Sequence, residues 1–129
     1  MPGRILLDTN IVIALFAGEN PVRERLAECS VVFLPSTVLG ELYYGARKSS
    51  HAAANFARIE QLAAVVAILP CDATTARLYG EIKASLRSKG RPIPENDIWI
   101  AAVAQQYGLS LATRDEHFNQ VTGLAVESW

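Results

Sequence analysis

The chain is short of several things, and each shortage narrows what it can be. Its 129 residues include only two cysteines, Cys29 and Cys71. That is too few for a disulfide scaffold and suits a reducing compartment, where both are expected to be ordinary small apolar residues. Charge is almost balanced, at a formal net of −1. No overall field therefore draws the molecule to nucleic acid or to an anionic membrane, and any nucleic-acid surface has to be a local patch. No apolar run approaches a bilayer span. The N-terminus has no basic segment leading into a long apolar core, so no secretory signal is expected and the cytoplasm is the expected location. There is no internal repeat and no low-complexity segment. A zinc site is not expected either, because His51 and His117 stand alone and no cysteine–histidine cluster has ligand spacing. What remains is a chain that is 50% hydrophobic, enough for a real core. Its length fits one domain, residues 1–129.

The stretch Arg4-Ile5-Leu6-Leu7-Asp8-Thr9-Asn10 organises that domain. Three apolar residues run straight into an acid, and helix-like sequence follows at once. A short apolar run ending at a breaker reads as a buried strand, and a parallel strand covered on both faces is apolar throughout. Further strands are expected at Val31–Leu34, stopped by Pro35, at Ala67–Leu69, at Leu109–Ala112 and at Leu124–Val126. Helices are expected between them. One runs from Ile11 to near Gly18. The next is capped at Asn20 and starts with Pro21. A third is capped by Ser36 or Thr37 and reaches about Lys48. Others run from His51 to about Val66, from Thr74 to Lys89 ahead of Gly90, and from Asn96 to Tyr107 ahead of Gly108. Strands alternating with helices predict an α/β domain with a mostly parallel sheet of four to five strands and helices on both faces. Right-handed crossovers limit the topology, and if strand one is central, with strands two and three on one side and four and five on the other, the order is 3-2-1-4-5. A switch point then falls between strands one and four, where open α/β sheets place their sites. Cys29 and Cys71 would lie at opposite ends of neighbouring strands, on the order of 10 Å apart or more and too far for a disulfide.

Four acids sit where solubility does not explain them. Asp8 ends an apolar strand. Glu41 lies inside the apolar helix Val38-Leu39-Gly40-Glu41-Leu42-Tyr43. Asp97 precedes Ile98-Trp99-Ile100-Ala101-Ala102-Val103. Asp115 follows the fourth strand within Thr113-Arg114-Asp115. Each has a plain structural reading. Asp8 could cap its helix, Asp97 could be a first-turn acid favoured by the helix dipole, Glu41 could pair with Arg47 or Lys48, and Asp115 could be a turn residue. Together they surround one switch point. Gathered carboxylates raise one another's pKa, and a hard cation relieves the conflict. Mg²⁺ or Mn²⁺, bound by carboxylate and water oxygens with room for phosphate, is the expected ion.

A separate stretch from Lys83 to Pro94 holds Lys83, Arg87, Lys89 and Arg91 and no acid. Lys83 and Arg87 share one helix face, where like charges are mildly unfavourable. Either an anionic partner or a solvated helix end accounts for this. Arg47, Lys48 and Arg114 are further cationic candidates. Phosphate contacts of this kind supply affinity without sequence information.

The segments Leu7-Asp8-Thr9-Asn10, Glu41-Leu42, Asn96-Asp97-Ile98-Trp99-Ile100-Ala101-Ala102 and Thr113-Arg114-Asp115-Glu116-His117-Phe118 resemble, in order and spacing, the successive motifs of PIN-domain ribonucleases. Within these, the chain is most similar to the VapC-type toxins of bacterial toxin–antitoxin pairs. The resemblance spans nearly the whole chain. It implies a parallel-sheet fold and Mg²⁺- or Mn²⁺-dependent endonucleolytic cleavage of single-stranded RNA. It also implies a homodimer and inhibition by a cognate antitoxin protein. Carried over by motif, Asp8, Glu41, Asp97 and Asp115 are the catalytic, metal-holding quartet. Thr9, Asn10 and Thr113 support them, and Arg87, Lys89, Arg91 and Arg114 are candidate RNA contacts. Three other readings are weighed at this point. A phosphoacceptor receiver domain would need paired acids after strand one, an acceptor aspartate after strand three and a lysine after strand five. Asp72 could imitate the acceptor, but Asp8 has no acidic neighbour and no lysine follows residue 89. A haloacid dehalogenase would need an aspartate where Asn10 stands. A non-catalytic PIN-like binding protein would have no use for an intact quartet.

Overall fold

The computed structural model describes residues 3–129. Five parallel strands make one sheet in the order β3-β2-β1-β4-β5, as the alternating pattern predicted. β1 (Arg4–Leu7) is central, and Ile5, Leu6 and Leu7 are buried on it. It pairs with β2 (Val31–Pro35) on one side, Leu6 opposite Phe33, and with β4 (Ser110–Thr113) on the other, Leu7 opposite Ala112. β3 (Ala67–Leu69) and β5 (Val126–Ser128) are the edges. β5 lies two residues later than the apolar triplet suggested, because Leu111 pairs with Val126 and Leu124 is left in the preceding turn.

Six helices cover the sheet: α1 (Thr9–Phe16), α2 (Asn20–Ala27), α3 (Ser36–Lys48), α4 (Ala52–Val65), α5 (Ala73–Ser88) and α6 (Glu95–Tyr107). A 3-10 turn, Glu116–Gln120, follows β4. α6 is the most deeply set, with Ile98 and every residue from Ile100 to Ala104 buried. A run this apolar on all sides is buried on all sides. Gly108 ends α6 in the left-handed conformation, at φ 62°, which glycine adopts without steric cost, and this turns the chain straight into β4.

Two helix starts differ from the sequence reading. Glu19, not Asn20, is the residue before α2, and its carboxylate is drawn away to Arg114 rather than capping. At α3 the strand passes into the helix without a loop. Pro35 is both the end of β2 and the cap position, so Ser36 is already helical and neither Ser36 nor Thr37 caps. Cys29 and Cys71 are free thiols. Among the described residues no helix is long and apolar enough to cross a membrane.

Candidate active site at the β1–β4 switch point

Asp8 follows the last residue of the central strand and caps α1. Its side chain is only 5% exposed. Oδ1 accepts the Thr9 N–H at 2.8 Å and Oδ2 accepts the Thr113 hydroxyl at 2.7 Å. Thr113 ends β4, next to β1, and is equally buried. Its oxygen also accepts the Asp115 backbone N–H at 2.9 Å, so one hydroxyl ties the ends of the two strands together. Thr9 reaches the other way and donates its hydroxyl to Glu41 Oε1 on α3 at 3.0 Å. Glu41 therefore pairs with neither Arg47 nor Lys48 in the way a surface residue would. Asn10 accepts the Arg114 backbone N–H at 3.3 Å. Asp97 stands in the first turn of α6 with its side chain 14% exposed.

The four acids share one crevice, and the charges of the other three bear on Asp97. The Asp97 carboxyl is pushed up to about 6, first by burial and then by the charges of Asp8, Asp115 and Glu41, with His117 opposing. Burial also raises Asp8 above the ordinary aspartate range. The bonds from Thr113 and Thr9 hold it down, and Asp115 adds to the rise. The plain structural readings of Asp8 and Asp115 are true as well: Asp8 caps α1, and Asp115 accepts the His117 backbone N–H at 3.0 Å at the start of the 3-10 turn.

His117 does not stand alone. Its Nδ1 lies 2.9 Å from Asp115 Oδ1 and 3.9 Å from Asp97 Oδ2. One potential ligand atom from each of Asp97, Asp115 and His117 lies within 4.8 Å of the other two. The signal available in the sequence was the Asp-x-His spacing of residues 115 and 117, which is short enough for a tight turn to bring both side chains together. A cysteine–histidine search passes over it because the partners are carboxylates. His51 stays exposed at the entry to α4.

The cationic candidates separate into three groups. Arg91 lines an open cleft of 740 Å³ together with Asn10, Asp115, Glu116 and His117. Arg114 lines the same cleft, but its guanidinium is gripped by Glu19 through both terminal nitrogens, at 2.6 and 3.3 Å, and by the Trp129 carbonyl. Lys89 is bound to the Gln120 carbonyl and the Thr122 hydroxyl, at 2.9 and 2.6 Å. Lys83 pairs with Glu95 at 2.5 Å, just beyond the acid-free stretch. Arg87 is exposed on the face between Lys83 and Ile93. On the other flank of the crevice an apolar groove of 390 Å³ runs past Thr9, Ile13, Phe16, Glu41, Leu42 and Ile59.

A parallel sheet ordered 3-2-1-4-5, with carboxylates from two strand ends and two helices at the switch point, defines an α/β protein with an acidic crevice. The PIN-domain family model matches residues 5–124. Ribonuclease VapC2 of Haemophilus influenzae is 36% identical over 129 residues, with 98% of each chain covered. The tRNA(fMet)-specific endonuclease VapC of Shigella flexneri is 36% identical over the same span, again with 98% of each covered. The DNA-bound VapBC crystal structure from Salmonella typhimurium superposes with a TM-score of 0.91 at 32% identity, covering 100% of this chain and 99% of that one. The chain belongs to the PIN-domain family, in its VapC branch.

Proposed function

We propose that this protein is a Mg²⁺- or Mn²⁺-dependent endoribonuclease that cleaves single-stranded RNA and serves as the toxin of a toxin–antitoxin pair. The observation that carries the reading is the uncompensated charge around Asp97. Asp8, Asp115 and Glu41 all press on it, and among the described residues no lysine or arginine pairs with any of the four. Donors that are almost all oxygen, in a crevice open to solvent on one side, suit a hard divalent ion. Such an ion would offset the carboxylates' repulsion and stabilise negative charge developing on a phosphoryl group.

The chain's own residues do the rest. Asp8 and Asp97 hold the cation, and Glu41 and Asp115 complete the site or orient the attacking water. Thr113 aims Asp8 by donating to Oδ2, which favours its charged form against burial, while its oxygen fixes the Asp115 backbone. Thr9 aims Glu41 by donating its hydroxyl to Oε1. Asn10 holds the backbone after β4 through Arg114 N–H. Arg91 faces the cleft beside Asp115 and positions a phosphate there, with Arg87 extending the cationic path. Arg114 and Lys89 contribute only where RNA displaces their present partners. A cognate antitoxin is the expected protein partner, since the similar solved structures include VapBC complexes, and one that fills the apolar groove would crowd Glu41 directly. A homodimer is expected from the family.

Purified protein incubated with single-stranded RNA and Mg²⁺ or Mn²⁺ should cleave it and stop on addition of EDTA. Sequencing the new RNA ends after brief expression identifies the target. Cleavage that persists in EDTA, or the absence of any cleavage with either ion, refutes the reading.

A further inference from the structure

We propose that His117 is a nitrogen ligand of the ion held by Asp97 and Asp115, and that it shifts the site's preference from Mg²⁺ toward first-row transition cations such as Mn²⁺. The inference rests on the metal-dependent reading above and adds a donor that the four-acid pattern does not contain.

The geometry comes first. Donors about 2.1 Å from an octahedral ion lie about 3.0 Å apart when adjacent and about 4.2 Å apart when opposite. His117 Nδ1 is 2.9 Å from Asp115 Oδ1 and 3.9 Å from Asp97 Oδ2. Both distances from the imidazole nitrogen fall within the span of one coordination sphere, and the three donors cluster within 4.8 Å of one another.

The local fold explains why the ring is there. Asp115 accepts the backbone N–H of His117 at 3.0 Å as the 3-10 turn begins. This short turn folds the imidazole back over the carboxylate two residues earlier, with Nδ1 as the near atom. The ring itself is loosely surrounded, with the side chain 56% exposed. Packing does not hold it over the acids, so it is free to adjust onto an ion. Phe118, the next residue, is fully buried and anchors the turn.

The chemistry then sets the preference. Mg²⁺ takes oxygen ligands and keeps water reluctantly shed. Imidazole suits transition ions, and affinity for nitrogen donors rises from Mn²⁺ along the series. One imidazole among carboxylates therefore strengthens binding of Mn²⁺ and its neighbours while doing little for Mg²⁺.

Pulsed electron paramagnetic resonance on the full-length protein loaded with Mn²⁺ alone tests this. The chain has two histidines, so assignment is direct. The expected result is a nitrogen coupling to Mn²⁺ that changes on ¹⁵N-histidine labelling, survives His51→Ala and disappears in His117→Ala. Titration of the same proteins should show Mn²⁺ affinity falling about tenfold or more in His117→Ala, with Mg²⁺ affinity nearly unchanged. Mn²⁺ bound without nitrogen coupling, or a coupling that survives His117→Ala, overturns the inference and leaves the carboxylate site intact. Equal loss of both ions would mean that His117 only holds Asp115 in place, and also overturns it. Failure of the parent protein to bind either ion overturns the inference together with the metal-dependent reading. If His117→Ala does not fold, the ¹⁵N measurement on the parent and His51→Ala still decide.

Discussion

The molecule contains two helix-capping aspartates, each bonded to a buried threonine, that behave oppositely. Asp72 caps α5. It accepts the Thr75 N–H at 3.1 Å and Gln106 Nε2 at 2.9 Å, and Thr75 Oγ1 bonds back to the Asp72 N–H at 2.9 Å. Thr75 is fully buried and also bonds to Gln106. Asp8 caps α1 and is held by buried Thr113. The hydrogen bonds from Thr75 and Gln106 hold Asp72 below the ordinary aspartate range, the Thr75 backbone bond foremost. Burial drives Asp8 above it, and Asp97, also at a helix start, is pushed up to about 6. A helix N-terminus favours negative charge in all three places. What differs is company. Asp72 meets donors at an exposed corner, whereas Asp8 and Asp97 meet one another and further acids away from water. The first arrangement stabilises the fold; the second stores repulsion that the proposed cation would relieve.

The largest expected effect separates the two corners by activity. Asp8→Asn should lose more than about 100-fold in RNA cleavage, since removal of a mere supporting partner of a metal ligand already costs 10- to 100-fold. Asp72→Asn should retain parental activity while melting lower. Single-turnover cleavage rates together with circular-dichroism melts check both. Undiminished cleavage by folded Asp8→Asn would erase the distinction.

The threonines sharpen it one step further out. Thr113→Val should lower cleavage by about 10- to 100-fold through a misaimed Asp8. Thr75→Val should leave cleavage alone and cost about 1 kcal/mol in urea unfolding, the worth of a buried hydrogen bond. The reverse pattern would place the functional pair at α5.

Smaller in size, and opposite in sign, is the effect of neutralising an acid. Metal-free Asp97→Asn should be more stable than the metal-free parent by roughly 1 kcal/mol, after allowance for water's screening of a partly exposed group. The folded pKa of Asp97 lies above its unfolded value, so ionised Asp97 costs stability in full above about pH 6, and that cost is relieved as pH falls from about 6 toward 3.8. The mutant's advantage should therefore shrink across that window. Asp72 runs the other way: its contribution is present above 3.8 and is lost as pH falls through its depressed folded value. Mg²⁺ should raise the parent's melting temperature by binding the folded state, and the mutant's much less. Melts in EDTA and in excess Mg²⁺ across this range decide. A mutant that melts well below the parent in EDTA at pH 7 would make Asp97 a structural residue like Asp72.

The smallest expected effect concerns the cations. Arg87→Ala combined with Arg91→Ala should weaken RNA binding and reduce the slope of log affinity against log salt by about 1 to 2. Lys89→Ala should change the slope little, because its ammonium is already bound to Gln120 and Thr122. Unchanged binding in the double variant would make the whole stretch a solvated helix end.

Much of this was legible in the chain. Apolar triplets bounded by breakers located β1 to β4, since a strand buried on both faces has no polar positions to blur its ends. Alternation with helices and handedness limited the sheet order, and placing the apolar strand Ile5–Leu7 at the centre completed it. The four acids were visible because each interrupts or abuts an apolar run, where an unpaired charge is costly. Sequence alone did not decide which cations are free. Lys83 and Arg87 read alike four residues apart, yet Lys83 finds Glu95 and Arg87 has no such partner among the described ion pairs. Arg114 stands beside a site acid and is nevertheless held by Glu19, 95 residues away. For His117 only part of the pairing is long-range: Asp115 is two residues away, and Asp97 is brought in by the fold. Periodicity and apolar runs report local burial, whereas pairing is a long-range event set by how the sheet and helices close. The difference between Asp72 and Asp8 belongs to that level too: both cap helices, and only the packed structure decides whether a cap meets donors or other acids.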